Sequence, residues 1–142
     1  MAQNLDEKID AIKGLFSSCK SNEDKYKKII ELGRALPPIP EKFKTDENLV
    51  KGCQSRMYLH SVYENGVLSF EAESDALISA GLAALLVQVY SGETPETILK
   101  SPPLYLEELA ISQSLTPSRS NGLYSLHLRI KQEALKALFQ KA

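Results

Sequence analysis

At 142 residues, with 43% hydrophobic and 25% charged side chains, the chain is long enough to bury a real core in one domain, and its composition excludes a disordered or collagenous polymer. Seventeen basic against eighteen acidic residues leave a formal charge of −1, which excludes a general electrostatic pull toward nucleic acid or an anionic membrane. The longest apolar run, residues 76–90, is too short and interrupted to span a bilayer, and Met1-Ala2-Gln3-Asn4-Leu5-Asp6 lacks the basic and apolar regions of a secretory signal, so a soluble, cytoplasmic protein is expected. Cys19 and Cys53, the two cysteines, cannot make a disulfide framework and should remain thiols in a reducing cytosol. His60 and His127 lie far apart without paired-ligand spacing, which argues against a structural zinc site.

Leu5, Ile9, Ile12, Phe16 and Cys19 recur at helical spacing among charged residues and predict an amphipathic helix over 5–18, with Cys19 continuing its apolar stripe. Ser21-Asn22-Glu23-Asp24 is a helix start, and Tyr26, Ile29, Ile30, Gly33 and Leu36 form the inner face of a second helix, where Gly33 suggests close helix packing. Pro37, Pro38 and Pro40 end that helix in an extended segment. The connection 41–51 is long and polar except for Phe43, Leu49 and Val50, which either pin it or add a short edge strand.

Asn65-Gly66 between β-rich runs predicts a hairpin with a type I′ turn. The register that follows pairs Glu64 with Val67, Tyr63 with Leu68, Ser61 with Phe70, Leu59 with Ala72 and Met57 with Ser74 on a mostly apolar face. The other face sets His60 opposite Glu71, Tyr58 near Glu73 and Arg56 opposite Asp75, with His60 on the hairpin surface. Ser74 or Asp75 is expected to cap a helix over 76–90 that is apolar nearly all round, the central buried helix, stopped by Gly92. Thr94-Pro95 and Ser101-Pro102 read as starts of short helices over 95–100 and 102–110. Thr116-Pro117 opens a last helix that runs to near Gln140, with Leu123, Leu126, Ile130, Ala134 and Leu138 inward, Gly122 a weak point near its start, and His127 on its flank. No repeat and no second domain is evident; helices in the order ααββαααα around one small antiparallel sheet make a single-domain α+β fold.

Gly52, Gly66, Gly81 and Gly92 read as isolated punctuation rather than a phosphate loop, no nucleophile elbow supports a serine triad, and Glu107-Glu108 and Asp6-Glu7 look like solvated helix faces. Cys53 is the residue left with chemistry to offer. Gly52 before it lets the backbone turn and leaves the thiol unshielded, and Lys51 and Arg56 nearby would favour the reactive thiolate. From these residues alone, an inert buried cysteine and an exposed nucleophile both stand.

Asn48-Leu49-Val50-Lys51-Gly52-Cys53-Gln54-Ser55, the hairpin after it, Ser74-Asp75-Ala76 leading into an apolar helix, Leu115-Thr116-Pro117-Ser118-Arg119-Ser120-Asn121-Gly122-Leu123 and the upstream Leu32-Gly33-Arg34-Ala35-Leu36-Pro37 together resemble the SufE family of sulfur acceptors. The resemblance covers nearly the whole chain and is loosest over the first helix; it departs at Met57-Tyr58, where the family usually has an aliphatic residue followed by tryptophan. It implies a SufE/IscU-like fold and a protein that takes sulfur from a pyridoxal-phosphate cysteine desulfurase as a persulfide on Cys53. Such a protein stimulates that enzyme and passes the sulfur toward a SufBCD-like cluster assembly scaffold. Gly52, Gln54, Arg56, Asp75 and Arg119 would support Cys53: Arg119 by shaping its loop or the docking surface, Asp75 chiefly as a helix cap. The cofactor would belong to the partner, a SufS-like desulfurase toward which Gln54-Ser55 leans over the related Csd type, and this chain would carry neither cofactor nor metal. Cys53 would rest against apolar side chains and swing out on binding, in a protein expected to be monomeric. Two other readings are a thiol redox enzyme with Cys53 as peroxidatic nucleophile, for which Cys19 is the only resolving candidate, and a non-catalytic interaction module; a cluster scaffold would need about three or four cysteine or histidine ligands.

Overall fold

Local capping chemistry opens the first two helices. Asn4 Oδ1 accepts the Glu7 N–H at 2.9 Å while Glu7 Oε1 accepts the Asn4 N–H at 3.1 Å, a reciprocal capping box, and Ser21 Oγ accepts the Asp24 N–H at 3.1 Å. In the computed structural model, which describes residues 4–140, these caps begin α1 (Leu5–Phe16) and α2 (Asn22–Ala35). The first three residues of the stretch read for a leader lie outside the described residues. Helix α1 stops short of residue 18 because both the N–H and the hydroxyl of Ser17 return to Gly14 O, tightening the last turn. Cys19, just beyond, packs half-buried against the core.

The hairpin forms in the expected register, β1 (Met57–Glu64) against β2 (Val67–Ser74), with Asn65 at φ +53° and Gly66 at φ +82° in the turn. Met57, Leu59, Leu68, Phe70 and Ala72 are buried on its inner face. Against this face and α2 lies α3 (Leu77–Tyr90), buried on nearly every side. The packing of α2 on α3 is backbone to backbone: a Cβ on Gly33 would lie 2.2 Å from Leu77 O, and one on Gly81 would lie 1.9 Å from Ile29 O. Gly81 is therefore a packing residue, not punctuation. Tyr26, expected on the inner face, is instead 41% exposed, because the close contacts with α3 lie one and two turns further on, at Ile29 and Gly33.

Three expectations at the hairpin change. Neither Ser74 nor Asp75 caps α3, whose N-cap is Ala76 without a side-chain bond; β2 runs on through Ser74, and Asp75 stays tied to the hairpin by its own N–H to Arg56 O at 3.2 Å. The edge strand contracts to one bridge, Leu49 with Tyr58, after two 3-10 turns, Glu41–Phe43 and Asp46–Asn48. His60 bonds Glu71 at 3.0 Å as paired, yet it is covered, because the Phe43 ring stacks on it with centroids 3.6 Å apart.

Helix α4 (Pro95–Lys100) starts at the Thr94 cap. Helix α5 (Leu104–Glu108) is shorter than expected: Ser101 does not cap it and instead offers its carbonyl to the Tyr90 hydroxyl, and Ala110 at φ +55° turns the chain away. Helix α6 (Pro117–Gln140) closes the fold, with Leu123, Leu126, Ile130, Ala134 and Ala137 buried; Ala137 takes the last inward place because the 3.6-residue period carries Leu138 off the face. His127 stands half-buried on its flank, 6.5 Å from the Tyr90 ring centre. Among the described residues no helix is long and apolar enough to cross a membrane.

Candidate functional site

Cys53 lies at the tip of a loop whose base is hydrogen-bonded shut. The Val50 N–H donates to Met57 O at 2.8 Å, and the Arg56 N–H donates to Asp75 Oδ1 at 3.0 Å, so residues 51–56 stand out from the mouth of the hairpin. Gly52 makes the turn at φ +93° and lies so close to α6 that a Cβ there would be 2.4 Å from Ser125 Oγ. The loop thus rests on α6, and the Cys53 thiol meets Gly122 O at 3.6 Å, a weak S–H···O contact. A Cβ on Gly122 would stand 3.7 Å from Cys53 Sγ, an ordinary contact, so the thiol does not need a glycine beneath it.

Beside the sulfur is a cavity of about 20 Å³, room for one water-sized group. Met57, Leu82 and Leu126 supply its apolar wall, while Gln54, Ser55, Ser79 and Arg119 supply its polar one. The polar groups form a chain. Arg119 Nη1 donates to Ser79 Oγ at 3.2 Å, Ser55 Oγ donates to Ser79 Oγ at 2.8 Å, Ser74 Oγ donates to Ser55 Oγ at 3.3 Å, and Ser74 Oγ accepts the Ala76 N–H at 3.2 Å. This chain joins α6, α3, the cysteine loop and β2. Ser79 was not singled out from the sequence, and Ser55 was read there only for the type of desulfurase, not as part of the thiol's seat. Ser79 had a readable signal, a hydroxyl inside a helix apolar on all sides, because a buried hydroxyl requires a partner.

Burial pushes the Cys53 thiol up from its ordinary value, since a thiolate in this seat would lose its hydration. The Gly122 carbonyl can accept from a thiol but offers nothing to a thiolate. Lys51 and Arg56, expected to favour the charged form, are exposed and do not line the cavity; the cation that does is Arg119. Gly52, Cys53, Gln54 and Arg119 therefore come together. Arg56 and Asp75 do not join them: they line a separate polar cleft with Glu41, Lys44 and Glu73. There Lys44 reaches Glu73 at 2.7 Å, and that hydrogen bond holds the Glu73 carboxyl below the usual range.

Residues 10–134 match the family described as SufE, Fe–S metabolism associated domain. The chain is 40% identical over 129 residues to the cysteine desulfuration protein SufE of Wigglesworthia glossinidia brevipalpis, covering 89% of each. It is 37% identical over 134 residues to SufE-like protein 1, chloroplastic/mitochondrial, of Arabidopsis thaliana; the match takes in 94% of this chain and 36% of that one, so the chain spans about a third of that relative's length. The solution structure of a hypothetical protein from Thermus thermophilus superposes with a TM-score of 0.75 at 27% identity, over 93% of this chain and 96% of the other.

Proposed function

Because the chain belongs to the SufE family of Fe–S metabolism, we propose that Cys53 accepts sulfur from a SufS-like, pyridoxal-phosphate cysteine desulfurase and carries it as a persulfide to a SufBCD-like cluster scaffold. The Cys53 thiolate attacks the outer sulfur of the desulfurase's cysteine persulfide; an S–S bond forms to Cys53, the enzyme's S–S bond breaks, and the enzyme's cysteine leaves as thiolate. No oxidant or reductant is consumed. Clearing that persulfide frees the desulfurase for another turnover, which is how the chain would stimulate it. The cofactor of the first step is the partner's.

The observation that carries this reading is the seat of Cys53: a thiol on a loop tip beside a cavity with room for about one atom-sized group, with Arg119 on its wall. At rest burial keeps the thiol protonated and protected. Lifting the tip toward a partner would restore the thiolate, on which transfer rate depends, and returning it would shelter the outer sulfur, whose negative charge Arg119 would offset. Gln54 at the cavity and Gly52 at the turn serve the same motion, whereas Arg56 and Asp75 brace the base of the loop: the Asp75 N–H donates to Arg56 O, and the Asp75 carboxylate accepts the Arg56 N–H. A reducing compartment such as the cytoplasm suits a carrier whose thiols stay free.

Incubation with a cysteine desulfurase and L-cysteine, followed by mass spectrometry, tests the proposal. The chain should gain one sulfur atom, Cys19→Ser should behave alike, and Cys53→Ser should gain none. Sulfur uptake that survives Cys53→Ser, or oxygen gained from peroxide with no sulfur gained from the desulfurase, would overturn it.

A further inference from the structure

The peptide unit between Leu49 and Val50 is gripped from both sides. A trans peptide points its N–H and C=O in opposite directions. Here the N–H of Val50 donates to Met57 O at 2.8 Å, while the Leu49 carbonyl accepts from Arg129 Nη1 of α6 at 3.2 Å. The same guanidinium donates through Nη2 to Glu47 O and through Nε to Glu133 Oε2 at 3.2 Å. Glu133 accepts at its other oxygen from Ser61 Oγ of β1 at 2.7 Å. The Glu47 and Leu49 carbonyls lie at the C-terminal end of the turn Asp46–Asn48, where main-chain oxygens lack partners within the turn and a basic side chain is a natural cap.

An exposed ion pair would hold little in place, but Arg129 and Glu133 are largely covered, with side chains 19% and 17% exposed. The planar fork is divided between two main-chain carbonyls and a carboxylate that is itself anchored on β1. It therefore locks α6, the turn before Cys53 and the first strand to one another, and a lysine could not reproduce that geometry.

Resting on the reading of Cys53 as the acceptor, we propose that Arg129 is a positioning residue for sulfur transfer: it fixes the stem of the cysteine loop, so that only the tip, residues 51–55, moves. A thiol that must leave its seat on Gly122, meet a partner's persulfide in line and return needs a fixed pivot. With the stem free, the polar connection before it would move as well, and the thiol would reach the partner in many orientations, few of them reactive.

The test uses the full chain in a Cys19→Ser background, with Arg129→Ala and Arg129→Gln; the glutamine keeps part of the aliphatic stem and carries the test where the alanine variant does not fold. Without any desulfurase, iodoacetamide should alkylate Cys53 about tenfold faster in the variants, and the Val50 amide should exchange hydrogen faster while the α3 amides do not. With a cysteine desulfurase present, the single-turnover rate of sulfur uptake at saturation should fall about tenfold, with the half-saturating concentration unchanged within about twofold. Added guanidinium at millimolar concentration should restore part of that rate in Arg129→Ala. Unchanged alkylation and unchanged Val50 exchange would overturn the proposal, as would a raised half-saturating concentration at an unchanged saturating rate, which would make Arg129 a docking residue. If Cys53→Ser still takes up sulfur, the acceptor reading fails, while alkylation and exchange still decide whether Arg129 holds the stem.

Discussion

Gly52→Ala probes the seat of the cysteine loop through two costs that the structure separates. At φ +93° a residue with a Cβ is strained by about 1–2 kcal/mol. The added Cβ would also lie 2.4 Å from Ser125 Oγ and 3.2 Å from Ser125 Cβ. The hydroxyl can rotate away but the Ser125 Cβ is fixed to α6, which adds about 1 kcal/mol of overpacking. The closed seat should thus lose about 2–3 kcal/mol. Because only the tip is strained, it can escape by lifting off α6. A shift of about 2 kcal/mol toward the lifted state raises its population about thirtyfold. In a Cys19→Ser background, iodoacetamide should then alkylate Cys53 up to about thirtyfold faster, with urea unfolding losing less than the full strain. Ser125→Gly removes both contacted atoms, so the double-mutant cycle should return the steric share and leave the backbone share, with the helix cost of the new glycine cancelling in the cycle. An alanine variant with parental alkylation and an unfolding free energy within about 0.5 kcal/mol would refute the reasoning.

Gly81→Ala should destabilise by about 3 kcal/mol or more in urea, since its Cβ would stand 1.9 Å from the main-chain Ile29 O, whereas Gly14→Ala, with nothing within 4 Å, should stabilise by about 0.5–1 kcal/mol. Ser79→Ala should cost about 1–3 kcal/mol by leaving the Ser55 hydroxyl and an Arg119 donor without their shared partner, and replacing Ser79 by threonine, which restores a hydroxyl, should recover part of that loss. The alkylation rate of Cys53 should rise with pH to a midpoint above that of the urea-unfolded chain, because burial favours the neutral thiol. By linkage, the stability held by that thiol is complete below the unfolded thiol's pKa and is lost as pH rises toward the folded one; Cys53→Ser should abolish this loss.

The caps at Ser21 and Thr94, the Asn65-Gly66 turn with its register, and the apolar run of α3 were legible in the sequence, because each is decided by residues a few positions apart. The sequence also singled out Cys53, through the glycine before it and the motif around it, and the fold sets that thiol beside a cavity. Its surroundings were not legible. The sequence neighbours Lys51 and Arg56 point into solvent, while the groups that line its seat, Ser79, Arg119, Gly122 and Leu126, come from helices far along the chain. Gly81 reads as punctuation until α2 is laid on α3, and Arg129 gains its role only where the packed fold turns the Leu49 carbonyl toward it. A cap or a hairpin turn is settled within one turn of chain by sterics and local hydrogen bonds. The charge state and freedom of the Cys53 thiol depend on burial and on main-chain groups brought together from distant segments, and only the packed fold decides them.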